Sequence, residues 1–92
     1  MKLTKKKISS RFSKLDKGWK VLGNKQIVRE FSFDDYKSTV EFVNKVARLA
    51  EAENHHPDIC FSYRKVKITL STHEVGGLSE KDFIMANKID SL

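Results

Sequence analysis

Three histidines, His55, His56 and His73, are the only imidazoles in this 92-residue chain. Two of them stand side by side in "AENHHPDICFSY", and the third lies in "TLSTHEVGG". Histidine can both give and take a proton near neutral pH, so such a group suits acid–base chemistry on a small polar ligand. Three histidines could also make an open zinc site, with Glu51, Glu53 or Glu74 completing it. Against metal, no two of them have the i, i+4 spacing of the HExxH helix. A third reading is inert: His55 and His56 as exposed residues after a helix, His73 as the end of a strand. Their placement favours chemistry. His55 and His56 fall where a long helical pattern stops, just before Pro57, which restricts the residue preceding it. His73 falls where a strand pattern stops, just before Gly76-Gly77. Element ends on a rigid scaffold are where binding and catalytic groups concentrate.

The elements that must position these residues are legible from periodicity. "LTKKKISSRFSKL" reads as a short helix with Thr4 as N-cap and Leu3 and Ile8 as a hydrophobic staple. Ile8, Phe12 and Leu15 continue as one apolar stripe. Lys5, Lys6 and Lys7 stand at the positive end of its dipole, where cations are disfavoured. "WKVLGNKQIVREFSF" reads as a β-hairpin whose Gly23-Asn24 turn has glycine first, as a type II′ turn requires. Ile27, Phe31 and Phe33 share one face of its second arm, and Val28, Glu30 and Ser32 the other.

Residues 34–53 carry the longest helical pattern. Tyr36, Val40, Val43, Ala47 and Ala50 form one stripe, with Phe42, Val46 and Leu49 a second beside it. Together they cover about half the cylinder, more than one sheet needs, which implies a further contact such as another subunit. "ICFSYRKVKITLST" reads as a second hairpin turning near Arg64-Lys65, with Val66, Ile68 and Leu70 alternating against Lys67, Thr69 and Ser71. "GLSEKDFIMANKID" opens a last helix, with Ser79 and Asp82 as a capping-box pair and Leu78 and Phe83 as the staple.

The order α-β-β-α-β-β-α, with two hairpins, predicts an α+β fold in one domain over residues 1–92. It is a two-layer α/β sandwich of a four-stranded antiparallel sheet with helices on one face. No apolar run is long enough to span a bilayer, and no apolar segment follows the basic start as a secretory signal would require. With Cys60 alone, no intrachain disulfide can form, which suits a cytoplasmic location. The net charge of +6 is concentrated at the front, because residues 1–30 hold ten Lys/Arg against Asp16 and Glu30. A solvated lysine-rich surface explains this, so weak, non-specific nucleic-acid binding is the most that is expected.

Glu51, His55-His56-Pro57, Tyr63, His73 and Asp82 together form the run E-x3-HHP-x5-Y-x9-H-x8-D. This run resembles the signature of the pterin-4a-carbinolamine dehydratases. "GWKV", "REFSFDDY", "EFVNKVARLAE" and "VKITLSTHEVGGLSEKDF" are similar to that family in order and spacing, with no insertion between them. One departure is that Lys5–Lys7 open the first helix where the family commonly has acids. The resemblance implies dehydration of 4a-hydroxytetrahydropterin (4a-hydroxytetrahydrobiopterin) to quinonoid dihydropterin. That step recycles the cofactor of aromatic amino-acid hydroxylases, as in phenylalanine hydroxylation.

The resemblance further implies His55, His56 and His73 as catalytic and ligand-contacting residues. Pro57 and the segment Thr72, His73, Glu74 and Val75 would line the pterin pocket. Glu51 or Glu74 could orient an imidazole, whereas Asp82 is better explained as a helix cap. No metal and no organic cofactor is expected. The partners implied are the pterin substrate, a homotetramer built as a dimer of dimers, and an aromatic amino-acid hydroxylase. Relatives of this fold also act without catalysis, as a dimerisation partner of a transcription factor or in RuBisCO assembly. A binding role is therefore the alternative.

Overall fold

Strand register decides which side of the sheet is covered. In a computed structural model, which describes residues 1–92, four strands pair in the order β1-β2-β4-β3, every pair antiparallel. They are β1 (Lys20–Leu22), β2 (Gln26–Ser32), β3 (Asp58–Phe61) and β4 (Lys65–Leu70). Ile27 stands opposite Leu70, Arg29 opposite Ile68 and Phe31 opposite Val66. Alternation then puts these side chains on one face and Val28, Glu30, Lys65 and Lys67 on the other. Ile27, Val66, Ile68 and Leu70 are fully buried, and each such side chain contributes about 1.5–3 kcal/mol relative to exposure.

Three helices supply the other half of the core: α1 (Lys5–Phe12), α2 (Tyr36–Glu53) and α3 (Glu80–Asp90). Ile8 comes from the first, Val46 and Ala50 from the second, and Phe83, Met85, Ala86 and Ile89 from the third. The expected α+β order and two-layer arrangement are thus present. Thr4 caps α1 by accepting the Lys7 N–H, and the staple residues Leu3 and Ile8 are both buried. The helix stops at Phe12, short of Leu15, with Ser13 closing it.

In α2 the core-facing line is Thr39, Val46 and Ala50, flanked by Phe42, Val43 and Leu49. Tyr36 and Ala47, from the first predicted stripe, remain exposed. Part of the wide apolar surface is therefore left uncovered by this chain. At the N-terminus of α2 the Asp35 carboxylate accepts the Ser38 N–H at 2.7 Å, which holds its carboxyl below the ordinary value.

Two turns differ from expectation. Gly23 and Asn24 both have positive φ, 57° and 56°, which makes the first hairpin turn type I′ rather than II′. Asparagine tolerates the left-handed region, so a leading glycine did not settle the type. In the second hairpin Ser62 donates its N–H to Lys65 O, centring the turn on Tyr63-Arg64, one residue earlier than expected.

Arg29 shares the core-facing side of β2 with Ile27 and Phe31 yet carries a charge. It remains there because Nη1 lies 3.0 Å from Asp90 Oδ1 and 2.9 Å from Asp16 Oδ1. Its guanidinium also lies over the Phe31 ring at 4.7 Å. Trp19, buried as core, donates from Nε1 to the other Asp90 oxygen at 2.9 Å. Gly18 makes this possible, since a Cβ there would lie 2.5 Å from Arg29 Nε.

Candidate active site

The end of α2 sets the first two histidines. Asn54 is left-handed, with φ 51° and ψ 42°. Its N–H bonds to Glu51 O while the His55 N–H reaches back to Ala50 O at 3.1 Å. This is the two-bond Schellman closure with Asn in the left-handed position. The helix therefore stops at Asn54, before Pro57 can act; Pro57 restricts only His56. The closure turns His55 inward, leaving its side chain 11% exposed, with Nε2 2.6 Å from Asp82 Oδ1.

Asp82 is fully buried in the first turn of α3. Its Oδ2 accepts the Ser79 N–H at 3.0 Å and the Thr72 hydroxyl at 2.8 Å. Thr72 Oγ1 and Ser79 Oγ are 2.7 Å apart, and Ser79 Oγ also accepts the Lys81 N–H. A buried carboxylate is costly unless its oxygens are satisfied, and here both are. The predicted capping box is present, but the same carboxylate also holds His55. That second role was missed. Its trace in the sequence is that Asp82 closes the E-x3-HHP-x5-Y-x9-H-x8-D run, as an acid three residues into a helix that follows a histidine-bearing loop.

His56 points outward and meets Glu51, Nε2 to Oε2 at 2.6 Å, with side chains 58% and 80% exposed. Glu51 is thus in hydrogen-bond contact with His56, though so open a pair contributes little to stability. Pro57 is half-buried.

The third histidine lies differently from expectation. β4 ends at Leu70, and His73 opens a single 3-10 turn, His73–Val75, instead of closing the strand. The cause is a narrow loop. Thr72 and Gly77 bond each other across it in both directions, while Gly76 takes a left-handed conformation. His73 and Glu74 face solvent, Val75 is half-buried, and Thr72 is buried with its hydroxyl engaged by Asp82. Glu74 hydrogen-bonds no imidazole. No three His, Cys, Asp or Glu side chains converge in an arrangement that could hold a metal ion.

The Asp82 network therefore ties the end of α2, through His55, to the adjoining 72–77 loop and start of α3. A carboxylate-held imidazole is a group that can give and take a proton.

Comparison with known proteins agrees with this frame. Residues 1–92 match the family model described as pterin 4 alpha carbinolamine dehydratase, and the chain belongs to that family. A relative from Sulfurisphaera tokodaii is 46% identical over 91 residues, covering 99% of this chain and 96% of its own. One from Nitrosospira multiformis is 49% identical over 90 residues, covering 98% and 78%. Both carry provisional pterin-4-alpha-carbinolamine dehydratase names.

Among solved structures, a transcriptional coactivator/pterin dehydratase from Brucella melitensis superposes with a TM-score of 0.92. It is 35% identical, and the match covers 99% of this chain and 97% of the other. A pterin dehydratase-like protein described as a RuBisCO assembly factor in the alpha-carboxysome gives 0.70 at 28% identity, covering 80% and 87%. No helix of this chain is long and apolar enough to cross a membrane.

Proposed function

We propose that this chain dehydrates 4a-hydroxytetrahydropterin to quinonoid dihydropterin and water by histidine acid–base catalysis. The observation that carries the proposal is His55, turned inward and held on a buried carboxylate that also ties down the His73 loop. Hydroxide is a poor leaving group, so a general acid protonates the 4a-hydroxyl as the C–O bond breaks. The neighbouring ring nitrogen supplies the electron pair for the new C=N bond, and a base takes its proton. His55 and His73 exchange these protons. His56, oriented by Glu51, positions the pterin, with Pro57, Thr72, Glu74 and Val75 around it. The scheme uses no metal and no organic cofactor.

The reaction would recycle the cofactor of an aromatic amino-acid hydroxylase in the cytoplasm, where an exposed free Cys60 stays reduced. A homotetramer follows from the family resemblance, and the uncovered apolar part of α2 supports it. Light scattering should then give a mass well above the 10.6 kDa of one chain, and a clean monomer would exclude it.

The direct test is a dehydration assay with the uncatalysed rate subtracted. His55→Ala and His73→Ala should each lower kcat by ~10²–10⁴, the usual loss for one positioned acid or base. His56→Ala should act mainly by raising KM. A rate no higher than background would favour a second reading, a binding role. The names of the two solved relatives, one a coactivator and one an assembly factor, point that way.

A further inference from the structure

We infer that His55 exchanges protons through Nδ1 alone, and that Thr72 is the positioning residue that secures this through Asp82. The inference deepens the dehydratase reading, on which its chemistry rests, but its geometry can be tested without substrate.

The argument is an accounting of donors. The Ser79 N–H can only donate, and it points at Asp82 Oδ2 from 3.0 Å. The Thr72 hydroxyl has one proton and two polar neighbours, Asp82 Oδ2 at 2.8 Å and Ser79 Oγ at 2.7 Å. Ser79 Oγ already accepts the Lys81 N–H, so its own proton is free to go to Thr72 Oγ1. The consistent direction is Ser79 hydroxyl to Thr72 hydroxyl to Asp82 Oδ2. Two donors on that oxygen favour the ionised carboxylate, which can only accept.

Its other oxygen, Oδ1, must then receive a proton from His55 Nε2, 2.6 Å away. Neutral His55 is thereby committed to the tautomer with its proton on Nε2, because the bond at one ring nitrogen decides the state of the other. The lone pair falls on Nδ1. That atom has no hydrogen-bond partner in the chain and is not among its buried unpaired atoms. A proton taken up at Nδ1 is the same one the imidazolium later gives back, so both half-steps run through one atom. Thr72 contributes by keeping the acceptor in place. If its proton turned away, Oδ2 would lose a donor and the carboxylate could rotate off His55.

Two-bond ¹H–¹⁵N correlation spectra of the substrate-free chain near neutral pH test the first half. The expected result is a protonated Nε2, an unprotonated Nδ1 and a slowly exchanging Nε2–H resonance for His55. A proton on Nδ1 would overturn the inference whether or not the chain proves to be a dehydratase. Thr72→Val and Thr72→Ser test the second half. Thr72→Val should broaden the Nε2–H resonance by exchange and lower kcat roughly tenfold with KM little changed, as expected for losing a hydrogen bond to a charged group. Thr72→Ser should restore both. If Thr72→Val leaves the resonance sharp, or Thr72→Ser fails to restore it, Thr72 does not position His55. Should Thr72→Val fail to fold, the comparison of wild type with Thr72→Ser still decides, since a serine that folds but loses the resonance contradicts the role.

Discussion

The two ends of α3 each hold an aspartate against partners from distant segments, and they use it differently. At the C-terminal end Asp90 faces Arg29 and the Trp19 N–H. At the N-terminal end Asp82 faces Thr72, the Ser79 N–H and His55. Arginine is permanently charged and cannot hand on a proton, so the Asp90 end joins the 16–19 loop, β2 and α3 as a fixed clamp. The imidazole at the Asp82 end can both give and take a proton and keeps one ring nitrogen without a partner in the chain. The same kind of carboxylate thus makes a structural tie at one end of a helix and a candidate proton-transfer site at the other. The partner decides which.

Removing the Asp82 side chain should have the largest effect. Asp82→Ala leaves His55, the Thr72 hydroxyl and the Ser79 N–H without their acceptor and removes half of the capping box. Leaving buried donors without their acceptor costs about 1–3 kcal/mol each, which urea denaturation would measure. A loss below about 1 kcal/mol would fit a surface hydrogen bond instead and dissolve the contrast.

Arg29→Met comes next. Methionine keeps the apolar contact over Phe31 but leaves Asp90 with Trp19 alone. Because both partners are partly exposed, the cost should be smaller, about 1–3 kcal/mol. Dehydratase turnover per folded molecule should be unchanged. A fall in turnover would show that the clamp and the histidine end are coupled.

The smallest effect concerns the surface pair of Arg11 and Glu80, whose nitrogen and oxygen atoms meet at 2.8 and 2.6 Å. The hydrogen bond from Arg11 holds the Glu80 carboxyl below its ordinary value of 4.5. A depressed folded-state value means the contribution is present above pH 4.5 and is lost as pH falls through the lower folded value. Melting curves of the wild type and Arg11→Ala should therefore differ slightly at neutral pH and converge under acid. A gap that widens on acidification would contradict this pairing.

Much of this molecule is written in local pattern. The alternation of Val66, Ile68 and Leu70, the Thr4 and Ser79 caps, and both staples involve residues a few positions apart, and each formed as read. The position of His55 and His56 just past a helix end was legible too, because the helical pattern stops beside them. The tertiary structure alone settled the partners across long separations. Asp82 lies 27 positions from His55, and a capping box employs only one of its two oxygens. Where the other points depends on how the Asn54 closure aims His55, which no local pattern encodes. Arg29 is the same lesson in reverse. Its parity places it among core residues and its charge argues for solvent, and only Asp90, 61 positions away, together with Asp16 and the gap at Gly18, lets it lie half-buried against the core. Periodicity and capping act over a turn or two, whereas neutralising a buried charge needs a partner that only the folded chain brings within reach.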